Sequence, residues 1–176
     1  MVRIRPPSWS TTPRPDANLA LSGGAFHVQI LERHPFTSQT FVPMGLSAAD
    51  FQDACYLVIV APTAPCLESI SENHRLQSPP KGIGPPDALN MRAFLARGDQ
   101  AVTYAAGTWH APMVVIGRNT VNFIVWQFAN GVPDEDCQEI LLEPQQDADG
   151  AVVLLPSAEG RADIMRLGHL IAPGKL

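Results

Sequence analysis

Glu32, His34, Gln39 and His110 are the side chains of this sequence whose types and spacing carry chemistry. The first three fall in L-E-R-H-P-F-T-S-Q, within residues 31–44, beside two prolines and an arginine. Residues two apart on a strand share a face, so Glu32 and His34 point one way and Arg33 the other. A carboxylate and an imidazole are costly to bury unless they are paired or bound to a metal. A carboxylate, an imidazole and an amide oxygen together suit a divalent first-row ion better than copper(I) or an iron–sulfur cluster. Nickel, manganese, zinc and iron are all compatible with that donor set.

A fourth ligand has to come from elsewhere, and His110 in Y-A-A-G-T-W-H-A-P is the candidate. A glycine turn followed by Trp-His-Ala-Pro sets its imidazole at the start of a strand. A hydrogen-bonded structural histidine is the alternative reading of His110 taken alone. Two motifs with complementary polar groups favour a shared site, because burying both sets separately is expensive. Trp109 reads as core. Asp134, Glu135 and Asp136 read as a solvated polar turn, and His27, His74 and His169 have no partner motif.

The elements that must position these residues read as strands. Segments 25–34, 40–44, 54–61, 91–97, 100–104, 112–117, 121–128, 138–143 and 150–155 are short, β-branched or aromatic, and bounded by turn residues. The 17 prolines and 13 glycines act as punctuation between them. A helical period is visible only over 161–171. The spacing predicts a single all-β domain over 1–176, a sandwich, jelly roll or small barrel. Residues 66–90 read as a surface insertion, and the first twenty residues as loosely held.

Composition narrows the function. The 176 residues suffice for one domain with a sizeable core, and 45% of them are hydrophobic against 16% charged. A net charge of −5 with scattered basic residues argues against nucleic-acid binding. The first fifteen residues lack the apolar core of a secretory signal. The longest apolar run, 56–61, falls far short of a membrane span, so no membrane partner is expected. Cys55, Cys66 and Cys137 are odd in number and lack paired metal-type spacing, which points to thiols in a reducing cytosol.

The two motifs resemble the paired signatures of cupins. Glu32, His34 and Gln39 stand where the first signature has two histidines and an acidic residue; Gly98, Gly107 and His110 stand in the second. A narrower resemblance is stronger. L-E-R-H-P-x-T-x-Q-x-F-x-P-M, then R-A-F-L-A-R-G-D-Q-A-V-T-Y-A-A-G-T-W-H-A-P-M, then N-G-V-P-D-E-D-C-Q-E resemble the ureidoglycolate lyase family of allantoin breakdown. The likeness runs over 31–139, broken by the 66–90 insertion, and its ending is similar to the fungal branch.

That resemblance implies a cupin-like β-barrel, often homodimeric, that splits ureidoglycolate into glyoxylate and urea, with nickel associated with bacterial members. It implies a metal held by Glu32, His34, Gln39 and His110. Tyr104 and His110 would be the catalytic residues, Tyr104 as acid or base within the second motif. Arg33 or Arg92 would pair with the substrate carboxylate, although strand alternation favours a structural role for Arg33. Members commonly carry aspartate where Asn122 stands, so Asn122 would hold substrate by a hydrogen bond without the charge. They also carry further N-terminal strands upstream, so the barrel is expected to lack them. A related ureide such as ureidoglycine, or a non-catalytic site for a small carboxylate, are the competing readings.

Overall fold

Short β-branched and aromatic runs broken by proline and glycine pair into antiparallel sheets, because period-2 alternation gives each run a face to bury. The computed structural model describes residues 2–4, 24–65, 84–117, 119–128, 131, 136–142 and 152–155. Its strands are β1 (Val2–Ile4), β2 (Gly24–His27), β3 (Ile30–Arg33), β4 (Gln39–Met44), β5 (Ala54–Ala61) and β6 (Arg92–Arg97). They continue as β7 (Val102–Tyr104), β8 (Trp109–His110), β9 (Val114–Gly117), β10 (Val121–Gln127), β11 (Gln138–Leu141) and β12 (Val152–Leu155). Short 3-10 turns at Ala48–Gln52 and Ala88–Asn90 are the helical elements among the described residues, and no described helix is long and apolar enough to cross a membrane.

The fold is all-β, as the spacing predicts. One sheet has the order β1-β10-β4-β7, a second the order β11-β3-β8-β5-β6 with β9 also on β5, and β2 and β12 form a separate ribbon. The barrel does not close among the described residues; the architecture is a cupin-like sandwich. Strand β5 sits inside it, and seven of its eight residues are buried. Its residues Leu57 and Ile59 join Leu31, Trp109 and Ile116 in a core that also takes Val153 and Leu155 of the ribbon. Its residues Tyr56 and Val58 face the other way, into a core with Phe41, Val115, Val121 and Phe123. Each fully buried Leu, Ile or Phe contributes about 1.5–3 kcal/mol.

In the second core Tyr56 meets Phe123 edge-on at 5.2 Å, Phe123 meets Phe41 at 6.0 Å, and Phe41 meets Tyr104 at 6.0 Å. Edge-to-face pairs add about 0.5–1.5 kcal/mol beyond area burial. This aromatic chain leads from the middle of the sandwich to the polar cluster.

Three expectations change. The predicted strand 25–34 splits at Val28 and Gln29, because its halves serve different layers: β2 pairs with β12, and β3 with β11 and β8. Within the segment expected to be loosely held, Val2–Ile4 forms a strand paired with Val121, Asn122 and Phe123. The end of the expected insertion is tied down, since Ala64 N–H donates to Pro85 O and Asp87 N–H to Pro62 O, both at 2.8 Å. Residues 66–83 and the helical pattern at 161–171 lie outside the described residues, as do Cys66, His74, Asp134, Glu135 and His169.

Candidate active site

Alternation along β3 sends Leu31 and Arg33 into the first core and Glu32 to the opposite face. His34 follows the strand directly and precedes Pro35, which biases it to extended backbone. Across the sheet, Glu32 is the direct Cα partner of His110 on β8. The two motifs are also joined by their backbones. Gly107 N–H donates to His34 O at 2.8 Å, from a turn in which Gly107 has φ +82°, a conformation that favours glycine.

The ligand atoms of Glu32, His34 and His110 consequently lie within 4.8 Å of one another. His34 is 8% exposed and His110 1%. His34 Nδ1 lies 2.7 Å from Asp136 O, and His110 Nδ1 lies 2.8 Å from Thr108 O. A carbonyl only accepts, so each Nδ1 carries the proton and each Nε2 keeps its lone pair. Among the described residues, four buried polar atoms have no hydrogen-bond partner: His34 Nε2, His110 Nε2, Gln39 Oε1 and Tyr104 Oη. His110 Nε2 approaches Glu32 Oε1 at 3.4 Å. That is longer than the roughly 2.7–2.9 Å of a strong charge-assisted hydrogen bond, so it is a close approach rather than a formed bond. The Glu32 carboxyl is held below its ordinary value, first by this contact with His110 and against the cost of burial.

Gln39 opens β4 opposite Tyr104 on β7 and Gln127 on β10. Its amide N–H donates to Gln127 Oε1 at 3.2 Å; the Gln127 amide nitrogen also lies 3.2 Å from His34 Nδ1, a contact and not a hydrogen bond while the Nδ1 proton goes to the shorter Asp136 carbonyl. Tyr104 stacks on His110, and burial, then Tyr56 and Glu32, push its phenol far above the ordinary value, so it stays protonated. A cavity of about 520 Å³ opens beside it, walled by Val58, Val60, Phe94, Val102, Tyr104 and Thr108 among others.

Comparison with known proteins places the chain. The sequence model of the ureidoglycolate lyase family matches residues 2–149. The chain belongs to the ureidoglycolate lyase family. It is 44% identical over 114 residues to a ureidoglycolate lyase of Schizosaccharomyces pombe, covering 65% of this chain and 49% of that protein. It is 34% identical over 158 residues to one of Saccharomyces cerevisiae, covering 84% of this chain and 70% of that protein. A third, from Burkholderia mallei, is 37% identical over 100 residues, covering 57% of this chain and 42% of that protein. The chain thus spans about half the length of the first of these relatives, and less of the third.

Not every residue singled out in this family member reaches the cluster. Arg33 lies on the other face of β3, its guanidinium 4.4 Å over the Trp109 ring and its Nε donating to Gln138 Oε1 at 2.7 Å. Trp109 is core, as its sequence context predicts, with its indole N–H donating to Gly84 O at 3.3 Å. Arg92 is exposed, and its pairing with Val60, itself opposite His110, puts it on the His110 side of the sheet. Asn122 sits between the buried Val121 and Phe123, so alternation turns it to the outward face of its sheet, away from Gln39 and Tyr104.

Asp136 is the residue that sequence reasoning missed. Expected in a solvated turn, it is 6% exposed and accepts from Phe36 N–H at 2.8 Å and from the Thr37 hydroxyl. The polar run around it gave no sign of this. The available signal lay in P-F-T after His34, where the Phe36 N–H and the buried Thr37 hydroxyl need an acceptor.

Proposed function

We propose that this cluster cleaves ureidoglycolate to glyoxylate and urea. The observation that supports it most is the set of four partnerless buried polar atoms, two of them the His34 and His110 Nε2 atoms of the group gathered at the Glu32 carboxylate. Each such atom costs about 1–3 kcal/mol when left unmet, so the set is shaped for something it binds. Two imidazole lone pairs facing a carboxylate also repel one another unless a cation lies among them. Glu32, His34, His110 and Gln39 therefore fit a divalent ion, with nickel the family-based choice and manganese or zinc chemically acceptable. Such an ion would supply Lewis acidity to the substrate hydroxyl and carboxylate.

The substrate carbon carries a hydroxyl, a carboxylate and the urea nitrogen. In the reaction the O–H bond breaks, the C=O bond forms, and the C–N electron pair leaves on nitrogen, which takes up a proton. No water is consumed. Of the ionised Glu32 carboxylate, one oxygen would hold the ion and the other takes the hydroxyl proton, while Tyr104, kept protonated by burial, gives one to the departing nitrogen. Return of the proton from Glu32 to Tyr104 resets the site. Nitrogen becomes strongly basic as the C–N bond opens, so a weak acid such as a buried phenol suffices. Arg92 supplies the cation for the substrate carboxylate from the edge of the sheet.

The reading includes a cytosolic setting and a homodimer. Val42 and Ile124 are direct partners on the outward face of the four-stranded sheet, where both are exposed along with Trp126, and give a second copy an apolar surface.

Incubation of the purified protein with ureidoglycolate tests the proposal. Equal amounts of glyoxylate and urea are expected, and both His34→Ala and His110→Ala should abolish them. Release of ammonia would move the reading to a neighbouring ureide. Binding of glyoxylate without turnover would make this a binding module.

A further inference from the structure

Asp136 is the only buried carboxylate among the described residues, and it lies outside the cluster. A buried carboxylate is expensive unless hydrogen bonds replace its water. Both of its oxygens are used: Oδ1 accepts from Phe36 N–H at 2.8 Å, and Oδ2 from the Thr37 hydroxyl. Pro35 has no N–H, so the turn after His34 presents its next donors from Phe36 and Thr37, and one side chain meets both. The main-chain carbonyl of the same residue receives Nδ1–H of His34 at 2.7 Å. His34 is thus gripped twice by one residue, through the turn that follows it and through its own ring.

We propose that Asp136 is a positioning residue that fixes the tautomer and aim of His34, so that the Nε2 lone pair faces Glu32 and His110. The inference deepens the reading of that cluster as a ligand site and rests on it. A carboxylate placed only to stabilise a loop would leave the imidazole free to turn. Here the loop and the ring share one anchor, so loosening the first releases the second. The side chain acts indirectly, because His34 bonds the backbone of Asp136. Asparagine should therefore substitute well: its amide oxygen still accepts from Phe36 N–H, and its NH2 group donates to Thr37 Oγ. Alanine leaves both donors without an acceptor.

The test uses the full chain labelled at histidine, with long-range proton–nitrogen NMR at mildly alkaline pH, where imidazole is neutral. The His34 signal is assigned by its loss in His34→Gln. Wild type and Asp136→Asn should show the Nδ1–H tautomer. Asp136→Ala should show mixed tautomers and bind Ni2+ about 10–100-fold more weakly, as loss of an outer-shell partner does. Thr37→Val, which removes one of the two donors, should shift in the same direction and decides the matter if the alanine variant does not fold. A folded Asp136→Ala or Thr37→Val protein with the wild-type tautomer and Ni2+ affinity, whatever its melting temperature, would overturn the proposal. The tautomer is read without substrate, so a wild-type protein that keeps it but makes no urea would sink the lyase reading and leave this inference standing.

Discussion

The imidazole of His110 lies flat on the phenol ring of Tyr104, with centroids 3.9 Å apart and planes 13° from parallel. Tyr104 belongs to the four-stranded sheet and His110 to the sheet built on β5, so this stack joins the two layers at the site. With Nδ1 held by the Thr108 carbonyl, the stack leaves His110 one orientation. Packing of the sandwich and geometry of the site are therefore coupled, through the same aromatic chain that fills the second core.

Tyr104→Phe separates stacking from proton donation. The ring contact survives, while a buried hydroxyl without a hydrogen-bond partner is removed. Thermal unfolding should show unchanged or higher stability, by up to about 1 kcal/mol. Turnover of ureidoglycolate should fall by about 100-fold or more if the phenol is the acid. A variant of near wild-type activity would remove Tyr104 from the mechanism.

Glu32 gives stability a defined pH dependence. Its folded-state carboxyl is held below the ordinary 4.5, so its contribution is full above that value and is lost as pH falls through the lower folded value. Melting curves of wild type and Glu32→Gln across the acid range should differ by a constant amount above about 4.5 and converge below it. A gap that widened on acidification would contradict the lowered Glu32 value.

Addition of a divalent ion should stabilise the protein by an amount that grows with the logarithm of its concentration above Kd. At about 100 times Kd the gain is roughly 2.7 kcal/mol, or about 5–10 °C in Tm for a chain of this size. His34→Ala and His110→Ala should lose the shift. Scanning calorimetry with nickel, manganese and zinc in turn checks this, and no shift with any of them would remove the ion from the reading.

The two arginines should behave oppositely. Arg33→Met loses the guanidinium over Trp109 and its bond to Gln138, costing about 1–2 kcal/mol of stability with KM unchanged. Arg92→Ala should leave stability alone and raise KM by about 10-fold at constant kcat, the mark of an interaction made equally in ground and transition states. Steady-state kinetics beside denaturant melts tell them apart.

Much of this molecule is legible along the chain. Alternation is a local property of extended backbone, so it places Glu32 and His34 on one side of their segment and Arg33 on the other before any fold is known. The same rule, applied to Val121, Asn122 and Phe123, turns Asn122 outward, against the role the family resemblance gave it. The split of 25–34 was not legible, because both halves are strands and only their partners differ.

By itself the sequence determined the all-β class, the family and the two motifs that carry the chemistry, since each depends on residue type and short-range spacing. Tertiary structure decided that Glu32 faces His110, that Asp136 is buried under the turn after His34, and that Tyr104 closes the stack. Those depend on register between strands far apart in the chain. Many registers satisfy the same local pattern, and the joint packing of both cores selects one of them.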